Sequence, residues 1–300
     1  MSIIKNIIYE GNMNQNRDAK KGVLYVVATP IGNLEDISLR AIRTLKEVGL
    51  IAAEDTRHTR KLLSAYKIAT PLISLHGHNE KEKSFLIISK ICSGINVAYV
   101  SDAGTPCVSD PGHYLISFAQ AENIRVIPIP GTSAVITALS ASGFSADTFV
   151  FCGFLPARET KRRKYLEELI HEQRTIVFYE SPMRLLASLH DVYDVLGDRE
   201  IVIARELTKI FEEIKRSKVS ELIETLGKRK VKGEITLIVQ AGQKAPVNIS
   251  DEEIRKRLLT FTKNKKLSVR DAVAEVVKNT GLSKKRVYDL AVGFLSAERG

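Results

Sequence analysis

At 300 residues and 33.4 kDa the chain is long enough for two domains and a small appendage, since a domain usually holds about 100–200 residues. Hydrophobic residues at 44% and charged residues at 27% exclude an intrinsically disordered chain, and the lack of any run of about 18 uncharged apolar residues excludes a membrane-spanning helix. The 45 Lys and Arg against 35 Asp and Glu give a net charge of +10, which favours a polyanionic partner, nucleic acid before membrane.

Residues 1–21, rich in Asn, Gln and Lys, read as a disordered leader in which Met13 offers an alternative start. The apolar patch at residues 3–9 is broken by Lys5 and Asn6 and lacks the cleavage site of a secretory signal. Cys92, Cys107 and Cys152 are odd in number and far apart, so they are expected to be thiols in a reducing cytosol.

From Gly22 the pattern alternates. Strands are predicted at 23–28, 50–53, 96–100 and 125–129. Helices are predicted between and after them: from the Ser38 cap to about 48, at 56–65, from Asn79 or Glu80 to 91, from the Asp110-Pro111 start, and at 134–142. Such alternation implies a parallel α/β sheet over residues 22–142. A second α/β unit, 143–243, carries predicted strands at 148–152, 174–179, 200–204, 210–216 and 234–240. Its helices are predicted at 159–172, 182–195 and 219–226. No helix separates the strands around Thr208, so this sheet should be mixed.

Residues 246–300 are predicted helical. Ser250-Asp251-Glu252-Glu253 forms a capping-box pattern, Ser268 opens a second helix, and Lys284 begins a third after Gly281-Leu282-Ser283. Helix, short Gly-containing turn and helix with Lys284, Lys285 and Arg286 at its start resemble a helix-turn-helix that binds RNA; the competing expectation is a packing domain with an incidental basic face. Twelve Lys and Arg against seven Asp and Glu in residues 245–300 supply half of the chain's excess charge and favour the nucleic-acid role.

Ligands of open parallel sheets bind at the carboxyl ends of the strands. Three loops leave the predicted strands there, at 29–36, 101–106 and 130–134, each mixing Gly or Pro with small hydroxyl residues. Asp102 is placed to bond a ribose hydroxyl or an ammonium group, although it could equally cap its own turn. Neither G-x-G-x-x-G nor G-x-x-x-x-G-K-[ST] follows the first strand, and no G-x-S-x-G occurs. His76 and His78 lack further Cys or His partners, so no metal is expected, and His113, His171 and His190 read as surface or capping residues. The string Glu54-Asp55-Thr56-Arg57-His58-Thr59-Arg60 follows a strand directly; helix capping accounts for its acids but not for Arg57, His58 and Arg60, which suit a phosphate-bearing substrate.

Seven stretches together carry a family resemblance: 24–36 (LYVVATPIGNLED), 52–60 (AAEDTRHTR), 100–111 (VSDAGTPCVSDP), 130–134 (PGTSA), 178–184 (FYESPMR), 204–209 (ARELTK) and 232–236 (KGEIT). In order and spacing they closely resemble the ribosomal RNA small subunit methyltransferase I family, within the tetrapyrrole methylase-like superfamily. The resemblance covers about residues 22–240, and the terminal helices resemble that family's helix-turn-helix extension. It implies two α/β domains with a cleft between them, S-adenosylmethionine as methyl donor without a metal, and 2′-O-methylation of a cytidine in the decoding region of 16S rRNA. The substrate would be 16S rRNA or the small ribosomal subunit, the enzyme cytoplasmic and homodimeric. By motif, Ile31, Asp102, Thr105, Ser133 and Ala134 would contact the donor, with Glu180 and Leu207 from the second domain. Met183 and Phe211 stand where the family pattern has histidine.

A ribose hydroxyl needs a general base as it attacks. Glu54, Asp55, His58, Glu180 and Lys209 are the candidates on the matched motifs, and the sequence does not choose among them. The alternatives are methylation of a small tetrapyrrole, for which the basic helices and the arginines are superfluous, and a non-catalytic RNA-binding protein, for which the three-loop set is superfluous.

Overall fold

The computed structural model describes residues 21–228, 231–242, 250–264, 267–280 and 282–297. The predicted leader, apart from Lys21, lies outside the described residues. Strands β1 (Val23–Val27), β2 (Leu50–Ala53), β3 (Leu72–Ser74), β4 (Val97–Val100) and β5 (Arg125–Ile129) form an all-parallel sheet in the order β3-β2-β4-β1-β5. Its central strands are buried on both faces, as parallel sheets require. Alternate residues divide between two cores: Ile51, Ala53, Ala98 and Val100 join one, Leu50, Ala52, Val97 and Tyr99 the other.

Helices α1 (Leu39–Glu47), α2 (Thr56–Ala65), α3 (Glu80–Cys92), α4 (His113–Ala121) and α5 (Ala134–Ser142) follow the strands. Ser38 caps α1 by accepting the Ala41 N–H at 3.1 Å. The start of α4 departs from expectation, because Asp110 and Pro111 precede the helix rather than open it. Gly112 sits at φ +115°, where a Cβ would meet the Tyr99 ring, and this left-handed residue fixes the first turn at His113. The cap comes from another element: Glu80 Oε1 accepts the N–H groups of Gly112, Tyr114 and Leu115 at 3.0, 2.8 and 3.3 Å.

Strands β6 (Phe149–Phe154), β7 (Thr175–Glu180), β8 (Glu200–Arg205), β9 (Glu213–Lys218) and β10 (Ile235–Val239) form a second sheet, ordered β6-β7-β10-β8-β9. Only β6 and β7 are parallel, so the sheet is mixed, as expected. Helix α6 (Glu159–Glu167) is shorter than predicted, α7 spans Leu185–Leu196 and α8 spans Val219–Gly227. The fourth strand of this sheet lies at Glu213–Lys218 rather than 210–216, because residues 206–212 form a turn with Glu206 and Thr208 at positive φ. Helix α5 packs Val135, Ala138 and Leu139 on Val177, Val202 and Ile238 of the second sheet, so both sheets share one core. They belong to a single compact unit that, among the described residues, comprises 21–166 and 175–240.

A second unit comprises residues 167–174 and 241–300. Helices α9 (Asp251–Leu259), α10 (Val269–Thr280) and α11 (Lys284–Ala297) pack around Ile254, Leu258, Val273, Val276 and Val287. Ser250 caps α9 by accepting the Glu253 N–H at 3.2 Å, and a π-helical turn, Thr260–Asn264, follows. Three residues, 281–283, separate α10 from α11.

Candidate functional site

The carboxyl ends of β1, β4 and β5 carry the three predicted loops, and the chain ties them together. Thr29 and Gly104 exchange backbone hydrogen bonds of 2.9 and 3.0 Å, the Thr132 hydroxyl donates to the Thr29 carbonyl, and Thr105 Oγ1 donates to the Thr132 carbonyl at 3.0 Å. Ser133 caps α5, aiming that helix's N-terminus at the same place.

Beside these loops lies a cavity of about 300 Å³. Its walls hold Ile31, Thr105, Ser133 and Ala134 from the first sheet's loops and Tyr179, Glu180, Ala204 and Leu207 from the second sheet, together with Gly233 and Glu234. Six of the seven residues expected at a donor site therefore meet there. Asp102 lines a neighbouring cavity of about 310 Å³, with Thr29, His58, Thr59, Lys61 and Lys209. The two cavities share Ile31, Ala103 and Glu234.

Asp110, Tyr179 and Thr59 line these cavities as well, without being candidates from the sequence. Asp110 lines the first cavity because the Gly112 turn keeps it off the helix. Thr59, only 2% exposed, lines the second cavity with its hydroxyl unpartnered. Its place within the quoted FYESPMR run, at the end of a predicted strand, was the one available signal for Tyr179.

The charged groups differ sharply in what they are free to do. Asp55 caps α2 and holds Arg57 through two side-chain hydrogen bonds of 3.2 and 2.7 Å, which pull its carboxyl well below the usual carboxylate range. Glu180, 2% exposed, pairs with Arg184 at 2.8 Å and accepts hydrogen bonds from the Ser181 N–H and the Ser188 hydroxyl, so both its oxygens are engaged. Burial opposes the charge on Lys209, but ion pairs to Glu206 at 2.8 Å and Glu234 at 3.0 Å outweigh it and hold the ammonium above its usual pKa. Glu54 is half-buried; burial, and then the charge of Asp110, push its carboxyl up. Its Oε2 accepts the Asp102 N–H at 3.4 Å, while Asp102 Oδ1 accepts the Asp55 N–H at 3.0 Å. Burial also raises Asp110. Exposed His58 faces the second cavity, with Arg57 and Arg60 exposed beside it on α2.

Met183 is 88% exposed and Phe211 72% exposed, and neither lines either of these two cavities. Lys284, Lys285 and Arg286 are exposed at the start of α11, where Arg286 pairs with Asp251 at 2.7 Å. Among the described residues no group of three His, Cys, Asp or Glu could hold a metal ion, and no helix is long and apolar enough to cross a membrane. The three cysteines form no disulfide, and burial pushes the Cys107 thiol up to about 11.

Two sheets, one parallel and one mixed, with a cavity at the parallel strand ends and no dinucleotide fingerprint, define a class that solved structures share. The structure of diphthine synthase superposes with a TM-score of 0.57 at 14% identity, covering 73% of this chain and 89% of that one. Uroporphyrin-III C-methyltransferase from Thermus thermophilus, complexed with S-adenyl homocysteine, gives 0.54 at 18% identity, covering 73% and 97%. The family described as Tetrapyrrole (Corrin/Porphyrin) Methylases matches residues 23–223, and the chain belongs to it.

Within that family its relatives are more specific. Proteins named Ribosomal RNA small subunit methyltransferase I are 46% identical over 277 residues in Pseudomonas aeruginosa and 44% over 281 residues in Vibrio cholerae. The one in Bacillus subtilis is 42% identical over 283 residues. These alignments cover 90%, 92% and 92% of this chain and 97%, 97% and 96% of the relatives. Such coverage reaches well past residue 223 into the helical unit.

Proposed function

We propose that the protein transfers the methyl group of S-adenosylmethionine to the ribose 2′-hydroxyl of a cytidine in the decoding region of 16S rRNA. The observation that carries the reading is the pair of adjoining cavities sharing the Ile31 and Ala103 wall, joined to a sequence kinship that runs through the basic helical unit. Two substrates that react by in-line displacement need such neighbouring seats, because positioning supplies much of the rate.

The first cavity suits the donor. Ile31, Ala134 and Leu207 offer apolar walls, Thr105 and Ser133 offer hydroxyls, and Asp110 offers a carboxylate to a cation; Glu180 stiffens the far wall through its Arg184 pair. S-adenosylmethionine brings an electrophilic methyl on a positively charged sulfur and an ammonium group, so it needs no metal. Asp102 faces the second cavity, from which it bonds the acceptor ribose rather than the body of the donor. His58 takes the hydroxyl proton. Arg57, Arg60, Lys284, Lys285 and Arg286 bind rRNA phosphates. A homodimer in the cytoplasm goes with this assignment.

The test is transfer from labelled S-adenosylmethionine to small ribosomal subunits, naked rRNA and a tetrapyrrole. Label in RNA supports the proposal; label in the tetrapyrrole alone replaces it with small-molecule methylation.

Two further expectations arise here. Because burial raises Asp110, its charge is lost at a higher pH than an ordinary carboxylate's as acid is added. Donor affinity should therefore fall as pH drops through that raised value, and Asp110→Asn should flatten the dependence in calorimetry. A pH-independent affinity in the unaltered protein would contradict the assignment. Replacing Lys284, Lys285 and Arg286 together with alanine should weaken rRNA binding and flatten its log–log salt slope by about two, since each phosphate contact contributes about 0.7–0.9. Binding and slope equal to those of the unaltered protein would make the helical unit a packing element.

A further inference from the structure

The turn between β8 and β9, residues 206–212, is built more firmly than its exposure requires. Glu206 and Thr208 both adopt left-handed backbone, at φ 51° and 65°, without being glycine. Leu207 anchors the turn in the core shared by both sheets, and Lys209 is held by Glu206 and Glu234. Glu212 accepts the Thr208 N–H at 2.6 Å, and the Thr208 hydroxyl accepts the Asn33 N–H at 3.0 Å from the first sheet's loop. Gly32 approaches so closely that a Cβ there would meet the Leu207 carbonyl and the Lys209 side chain. This fixed base carries a bare apolar tip: Ile210 is 92% exposed and Phe211 72% exposed.

The tip adjoins Lys209 in sequence, and Lys209 lines the second cavity together with His58, Thr59 and Lys61 of α2, a helix that also carries the exposed Arg57 and Arg60. A phosphate backbone drawn along those cations would bring bases toward the tip. An enzyme that acts on one nucleotide of a folded RNA must take it out of the stack, and apolar or aromatic side chains commonly fill the gap or stack on the splayed bases.

We propose that Ile210 and Phe211 form a wedge that stacks on the RNA base next to the target cytidine and holds the target nucleotide turned out into the second cavity. The proposal rests on the rRNA reading above. Phe211 is a positioning residue here: it touches the neighbouring base and no reacting atom. No covalent step is involved.

The experiment compares Phe211→Ala, Phe211→Tyr and Phe211→Leu in steady-state methylation of small ribosomal subunits, with donor affinity measured by calorimetry and oligomeric state by sedimentation. Loss of one base–aromatic stack predicts about a tenfold fall in kcat/KM for the alanine variant. Tyrosine should recover most of the rate and leucine should not, with donor affinity the same in all three. An alanine variant as efficient as the unaltered protein would overturn the proposal. So would leucine matching tyrosine, or a change in oligomeric state, which would make the tip a contact between copies. If the unaltered protein labels no RNA, the functional reading has failed, and that outcome is separate because it precedes any comparison of variants.

Discussion

Replacing His58 with alanine is expected to lower the methylation rate by about 10²–10⁴-fold, the usual contribution of a general base, while donor affinity stays the same. The expectation comes by elimination among the groups at the site. Asp55 is bound to Arg57, Glu180 to Arg184 and Ser188, and Lys209 is held charged by two carboxylates. Glu54 keeps basicity through burial but lines neither cavity, whereas His58 lines the second cavity and no hydrogen bond engages its ring among the described residues. Added imidazole should restore part of the rate of the alanine variant. Full activity without His58, together with its loss in Glu54→Gln, would transfer the role to the carboxylate behind Asp102.

The largest effect on stability is expected far from the chemistry. Arg162 and Asp191, each 4% exposed, pair at 2.6 Å between α6 and α7, and Arg162 also donates to the carbonyls of Pro156 and Ala157. Arg163 reaches the other Asp191 oxygen at 2.9 Å and Asp194 as well. Arg162→Ala would leave a buried carboxylate half-paired and two carbonyls without their donor, a cost of about 3–5 kcal/mol. Denaturant unfolding of the variant measures it directly; a loss below about 1 kcal/mol would mean that water replaces the guanidinium. The motif 159–163 gives no hint of this burial in the sequence, where five polar residues in a row read as a solvated face.

The parallel sheet was legible because its strands are short β-branched runs, and the loops after β1, β4 and β5 carry their own Gly, Pro and hydroxyl punctuation. Strand β3 was not legible: Leu72, Ile73 and Ser74 are too few to show a period, and the strand exists through its pairing with β2. The shift of β9 to Glu213 follows from positive φ at Glu206 and Thr208, residue types whose sequence carries no sign of it. Asp110 was hidden for a different reason. Asp-Pro is a good helix start taken locally, and only the Tyr99 ring, packed against Gly112 from a distant strand, moves the start to His113. The packing of α5 on the second sheet, which turns two sheets into one cavity-bearing unit, is likewise a long-range fact. Within the site, six of the seven residues that the motif resemblance assigns to the donor line the first cavity, and Asp102 lines the adjoining one.

The most direct measurement of the central claim is nucleoside analysis by mass spectrometry of 16S rRNA taken from small subunits after incubation with the protein and S-adenosylmethionine. One new product is expected, 2′-O-methylcytidine, at a single position in the decoding region, absent without the protein. A methyl group on a base atom, on a different nucleoside, or on no RNA at all would contradict it.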